Sequence, residues 1–218
     1  MSLESSNSDA PDPQPTGQRW LTLDDPTVIR ALAHPVRLDL MDLIGRHARL
    51  TTADAARELG ISHGLASHHL RQLAKYGFVE QVEGKDNRER PWRLVFTSSQ
   101  VRGADANPEI AAAADVLDQI TAERALTRFL AWQRRREEWP AAWREHTGVG
   151  ASNIYLTVEE LAELDGAIED LIMRYVNERP IDDLDSRPPG SVPVNITTFV
   201  VPQSQPPEGA QSPEGAPR

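Results

Sequence analysis

Helical spacing places His63, Gly64, Ser67, His68 and Arg71 on one side of a predicted helix from about His63 to Tyr76, and Ala66, Leu70 and Leu73 on the other. The first group is small, polar and rich in hydrogen-bond donors. A face of that kind can approach base edges in the major groove of a duplex, where donor and acceptor patterns differ for every base pair. Thr52 and Ser62, at the start of one helix and just before the next, join this group as candidate contacts. Lys85, Asn87, Arg88 and Arg90 form a second group, suited to phosphate oxygens, with one arginine able to enter a minor groove. The bland alternatives are an ordinary helical hairpin and a solvated loop, since Glu83, Asp86 and Glu89 dilute the positive field.

The elements that must hold these groups are written in local signals. Val28, Ile29 and Leu32, then Val36, Leu40, Leu43 and Ile44, recur at helical spacing, with Pro35 marking where a second helix begins. Thr51 is placed to cap a short helix, Thr52 to Leu59, which Gly60 ends. Ser62 is placed to cap the next, with Gly77 at its far end. Phe78 to Val82 and Arg93 to Thr97 read as two strands around a polar tip containing Gly84 and Asp86-Asn87. A capped helix, a glycine turn, a second helix with one apolar face and a charged hairpin make a winged helix–turn–helix over residues 20–100.

The run Ile29 to Ile44 (Ile-Arg-Ala-Leu-Ala-His-Pro-Val-Arg-Leu-Asp-Leu-Met-Asp-Leu-Ile) resembles the opening helix of ArsR-type winged-helix repressors. Ser67-His68-His69-Leu70 and Lys75-Tyr76-Gly77-Phe78-Val79-Glu80 resemble the end of that family's recognition helix and the entry to its wing. The resemblance covers about 70 of 218 residues. It implies a cytoplasmic regulator, homodimeric on double-stranded DNA with two half-sites, that represses and in many members responds to an effector. The metal-sensing members use cysteines, and this chain has none, which excludes thiolate sensing. At His68 such helices often carry Arg or Gln, so base specificity shifts toward Ser67, His63 and Arg71.

Beyond residue 108 the pattern is mainly helical. Ile110, Ala113, Leu117, Ile120, Leu126, Phe129 and Leu130 predict one long amphipathic helix from Pro108 towards Glu138. Thr157-Val158-Glu159-Glu160 is a capping box opening a helix to about Glu178, with Leu161, Leu164, Ile168, Leu171, Ile172 and Tyr175 on one face. Ile154 to Leu156 and Val192 to Val201 read as strands able to pair with each other. The fold class is therefore mainly α: a winged helix–turn–helix with a two-stranded wing, then a helical C-terminal domain, 108–202, with a small β element. The composition of 1–19 and 203–218 predicts disordered tails. The long helix and the helix from Pro26 are expected to pair with a second copy, setting two recognition helices about 34 to 36 Å apart.

Trp132, Trp139, Trp143 and Tyr155 could line a pocket for a small apolar effector, although core packing or a dimer contact explains them as well. The histidines offer no metal site: His68 and His69 lie about 100° apart on a helix, and His34 and His47 have no acidic partner at a ligand spacing. No cofactor motif, P-loop, zinc-hydrolase motif or nucleophile elbow occurs, so an enzyme is not expected. The net charge of −10 opposes nucleic-acid binding only on average. Residues 20–100 carry 11 basic and 10 acidic side chains, whereas 101–218 carry 11 and 20. No run is long and apolar enough for a membrane span, and residues 1–17 lack an export signal, which points to the cytoplasm. The rival readings are a winged helix that binds protein instead of DNA, and an enzyme with a borrowed winged helix.

Overall fold

The computed structural model describes residues 20–84, 90–96 and 98–205. Strand β1 (Trp20–Leu23) leads into α1 (Pro26–Leu32) and α2 (Pro35–His47). Both helices start on proline, where the missing N–H costs nothing. Asp25 caps α1 by accepting from Thr27 N at 2.7 Å, and the His34 ring caps α2 by accepting at Nδ1 from Val36 N at 3.2 Å. Then come α3 (Thr52–Leu59) and α4 (His63–Lys75), capped by Thr51 and Ser62 as their types predict. Gly60 ends α3 in the left-handed region at φ 65°, where a side chain would be strained.

The wing is β2 (Val79–Gln81) antiparallel to β3 (Trp92–Leu94). Leu50 adds a bridge to Trp92, with backbone bonds of 3.0 and 2.8 Å. Across the two strands Arg93 and Glu80 stand opposite and pair at 2.8 Å. The second strand begins one residue earlier and ends sooner than its β-prone run suggests. After it the chain forms β4 (Ser98–Val101), which lies parallel to β1 in a separate two-stranded sheet. That sheet closes the domain, since everything from α1 to the wing lies between its strands. Ile29, Leu40, Leu43, Leu70, Leu73 and Phe78 are fully buried and form the centre of the core.

Helix α5 (Pro108–Arg134) is the long helix expected from Pro108, and a 3-10 turn, Arg136–Glu138, continues it. Ile110, Ala113 and Leu117 join the same core, packing against α1. The apolar side of α1 is thus covered within its own chain. Further along, Arg124 is largely buried and donates to Asp39 and Asp42 of α2, both at 2.6 Å, and to Pro35 O at 3.3 Å.

Helices α6 (Ala141–Arg144) and α7 (Val158–Glu178) follow. The capping box forms: Glu160 N donates to Thr157 Oγ1 at 3.2 Å and Thr157 N to Glu160 Oε2 at 2.8 Å. After α7, Arg187 donates to the carbonyls of Arg46, Gly45 and Ile181 at 2.6 to 3.3 Å, docking this turn on the end of α2. Ile181 lies so close that a Cβ on Gly45 would stand 3.0 Å from its Cδ1, and that side-chain end would have to shift to admit it.

The expected pairing of Ile154 to Leu156 with Val192 to Val201 does not form. Neither segment belongs to a strand, and most of their apolar side chains are exposed. The later segment instead reaches α7, where Thr198 lines one cleft with Asp165, Ile168 and Glu169. Among the described residues, the strands outside the wing are the β1–β4 pair. No helix among the described residues is long and apolar enough to cross a membrane.

Candidate nucleic-acid interface

Helix α4 is held by its inner side, through Ala66, His69, Leu70 and Leu73, all buried. With about 100° per residue, that leaves His63, Gly64, Ser67, His68 and Arg71 within an arc of roughly 140° on the outside. His63, Gly64, His68 and Arg71 are exposed and Ser67 is half-buried. Arg71 Nε donates to Ser67 O at 3.2 Å, laying the side chain back along its helix. No carboxylate pairs with it among the described residues, so its guanidinium can turn outward without breaking an ion pair.

Ser62 uses its Oγ to accept from Leu65 N at 3.2 Å and is thereby the cap of α4, at the edge of the same face. Thr52 also has a contact within the fold. Its Oγ1 accepts from Trp92 Nε1 at 3.0 Å, so the residue ties α3 to the wing strand. Sequence reasoning also passed over Leu65, which is 40% exposed in the first turn of α4. An apolar side chain there suits a thymine methyl group. The only signal for it was an apolar residue at the border of a polar arc.

Gly64 carries a positional clue. A Cβ built there would meet nothing within 4 Å, and its backbone is ordinary helix. The fold has no need of glycine at this place, where it weakens the helix by up to about 1 kcal/mol. With no side chain, this turn of α4 leaves its backbone open to solvent. Lys85, Asn87 and Arg88 lie outside the described residues; Arg90, at the base of the wing, is exposed.

Behind α4 stands a cluster of rings and one guanidinium. Arg37 Nε donates to His69 Nδ1 at 3.4 Å, and Arg37 also donates through Nη1 to Ala31 O of α1. The His34 and His69 rings are 4.5 Å apart, and His68 stands edge-on to His69 at 5.3 Å. Burial, helped by the nearby His34, Arg37 and His68, pushes the His69 imidazole down to about 4. Burial first, then Arg37 and His68, lowers His34 as well. His69 is therefore neutral at pH 7, accepting at Nδ1 and carrying its proton on Nε2. Among the described residues no group of three or more His, Cys, Asp or Glu side chains is arranged to hold a metal ion.

The aromatic residues considered for an effector pocket do not converge. Trp139 and Trp143 meet edge-on at 5.8 Å, while Trp132 packs against Phe129 at 6.1 Å and lies under the Arg136 guanidinium. Tyr155 is completely exposed and touches none of them. With its side chain in solvent and no strand to hold its segment, it lines no wall. An open cleft of about 350 Å³ lies elsewhere, between α7 and β4, bordered by Ser99, Gln100, Ile168 and Met173.

Comparison with known proteins adds the following. No curated protein matches the chain. Wild-type apo MarR from E. coli is 14% identical over 67% of this chain and 87% of that one, with a TM-score of 0.30. AdcR (adhesin competence repressor) from Streptococcus pyogenes is 16% identical over 65% and 81%, with a TM-score of 0.29. A mutant MarR from E. coli complexed with operator DNA is 14% identical over 67% and 84%, with a TM-score of 0.28. Residues 32–82, from the last residue of α1 to just past β2, match the family model described as a helix-turn-helix domain. This chain therefore contains a helix-turn-helix domain, and α4 is its outward-facing second helix.

Proposed function

We propose that the protein is a sequence-specific transcription regulator: a cytoplasmic, homodimeric repressor of the ArsR type that inserts α4 into the major groove of double-stranded DNA. The observation that carries this reading is the outer face of α4. His63, Gly64, His68 and Arg71 are exposed there on a helix whose inner side is locked into the core. Gly64 lets the backbone come close, Leu65 offers an apolar contact, and His63, Ser67, His68 and Arg71 supply polar groups. Arg90 and its neighbours in the wing supply phosphate contacts, which position without specifying. Regulation by binding, without catalysis, is the whole of the activity under this reading.

The test is fluorescence anisotropy of the full chain with a labelled duplex from the region upstream of its own gene, titrated at several salt concentrations. Binding is expected to exceed that of a scrambled duplex and to weaken as salt rises. Equal binding to both duplexes removes sequence specificity. No binding to either at low salt leaves the helix–turn–helix as a protein-interaction module.

A further inference from the structure

Along α7, Leu161, Leu164, Ile168, Leu171 and Tyr175 recur at alternating spacings of three and four residues. That is the a/d seam of a two-stranded coiled coil. Of the residues on α7 only Met173 is buried, and it lies on a different side of the helix. Leu164, Leu171 and Tyr175 are 37%, 55% and 46% exposed, Leu161 and Ile168 are half-buried with Ile168 at the edge of the cleft beside β4, and no other helix of the described residues packs along α7. A seam of this regularity on a helix with a full capping box is a surface made for another helix.

We propose that α7 pairs with α7 of a second copy, antiparallel, about a two-fold axis near Ala167. This rests on the homodimer reading above and says which surface makes the dimer. The charges beside the seam choose both the partner and the direction. Glu160, Ala167 and Arg174 occupy one flank at intervals of seven, and Val158, Asp165, Ile172 and Arg179 the other. In a parallel pair, unlike flanks meet, which sets Glu160 against Asp165 and Arg174 against Arg179, like charges at both ends. In an antiparallel pair, like flanks meet. Glu160 then faces Arg174 of the second copy, twice by symmetry, while the small Ala167 faces its own mate on the axis. Asp165 comes near its mate on the other flank, at the rim of the open cleft where water screens it. Arg174 is available for this role: it lies against the Tyr175 ring and has no carboxylate partner among the described residues.

The chain contains no cysteine, so a single introduced one reports on the axis without further changes. Sedimentation velocity of the full chain at micromolar concentration is expected to show a dimer. Leu164→Glu with Leu171→Glu is expected to yield a monomer that keeps its helical circular dichroism. Arg174→Glu should weaken the dimer on the order of tenfold, and adding Glu160→Lys to the same chain should restore it even though it removes one capping-box bond, which a merely misfolded helix would not allow. Ala167→Cys should cross-link between copies under mild oxidation, whereas Glu163→Cys on the outer side should not. A wild-type monomer overturns the homodimer reading and this proposal together. A wild-type dimer that persists with both leucines replaced overturns the seam alone. A seam-dependent dimer that fails to cross-link at position 167 and ignores the charge reversal overturns the antiparallel arrangement.

Discussion

Arg37 Nε donates to His69 Nδ1 at 3.4 Å, and this contact joins the start of α2 to the inner side of α4. Because Arg37 also donates to Ala31 O, a single guanidinium links α1, α2 and the helix that presents the outer face. His69 can serve as acceptor only while unprotonated, so the contact has a defined pH range.

The first prediction follows from that range. In the unfolded chain His69 takes up a proton near 6.5, while in the fold it does so only at about 4. Above 6.5 the residue is neutral in both states and its contribution is fully present. As pH falls from 6.5 towards 4 the unfolded chain gains the proton alone, and stability drops by on the order of 3 kcal/mol. Urea denaturation across that interval should show the loss, and His69→Gln, which keeps an acceptor but cannot titrate, should flatten it. His34 is lowered in the same direction and should leave a smaller residual slope. Equal slopes in the parent and the His69→Gln variant would refute the assignment.

Gly64→Ala should separate stability from binding. With nothing within 4 Å of the added Cβ and ordinary helical backbone, the variant should be as stable as the parent or up to about 1 kcal/mol more stable. On the proposed docking the same methyl group stands between the helix backbone and DNA, so affinity should fall. A thermal melt and an anisotropy titration check the two halves. Unchanged affinity would show that the first turn of α4 is not in close contact with the duplex.

The wing should act through charge alone. Arg88→Ala with Arg90→Ala is expected to weaken binding to cognate and scrambled duplexes alike. It should also reduce the slope of log K against log salt by up to about two. Arg71→Ala should reduce the preference for the cognate duplex instead. If the wing pair changes the preference and leaves the salt slope as it was, the two roles are exchanged.

Arg124→Ala should cost more stability than Arg128→Ala. Arg124 is 13% exposed and holds both Asp39 and Asp42, whereas Arg128 is 38% exposed. Losing the more buried guanidinium leaves the two carboxylates to the outer Arg128 alone, which reaches Asp39 only at 3.9 Å, at a cost of about 1–2 kcal/mol. Losing the outer one costs only a few tenths. Denaturant midpoints rank them, and the opposite order would place the weight of the α2–α5 contact on Arg128.

Much of this molecule is decided within four residues of chain. Thr51, Ser62 and Thr157 cap the helices their positions announce, Pro26, Pro35 and Pro108 open theirs, and Gly60 makes the turn between α3 and α4. These outcomes depend on orphan amides and on allowed φ values, which neighbouring residues settle by themselves. The outer and inner sides of α4 follow for the same reason, since helical periodicity alone assigns them. What the sequence left open depends on residues far apart along the chain. Trp20 to Leu23 becomes a strand only because Ser98 to Val101 lies beside it. Gly45 faces Ile181 from a distant turn, and the Thr52 hydroxyl accepts from Trp92 of the wing. Periodicity sets His68 outside and His69 about 100° away, but the lowered proton affinity of His69 depends on burial beside His34 and Arg37, which come from distant chain. The strand propensity of Val192 to Val201 meets no partner strand and so forms no ladder. Local chemistry determined where each element starts and which side it shows, but strand pairing, burial and the electrostatics of the core required the folded chain, because each needs two distant segments brought into contact.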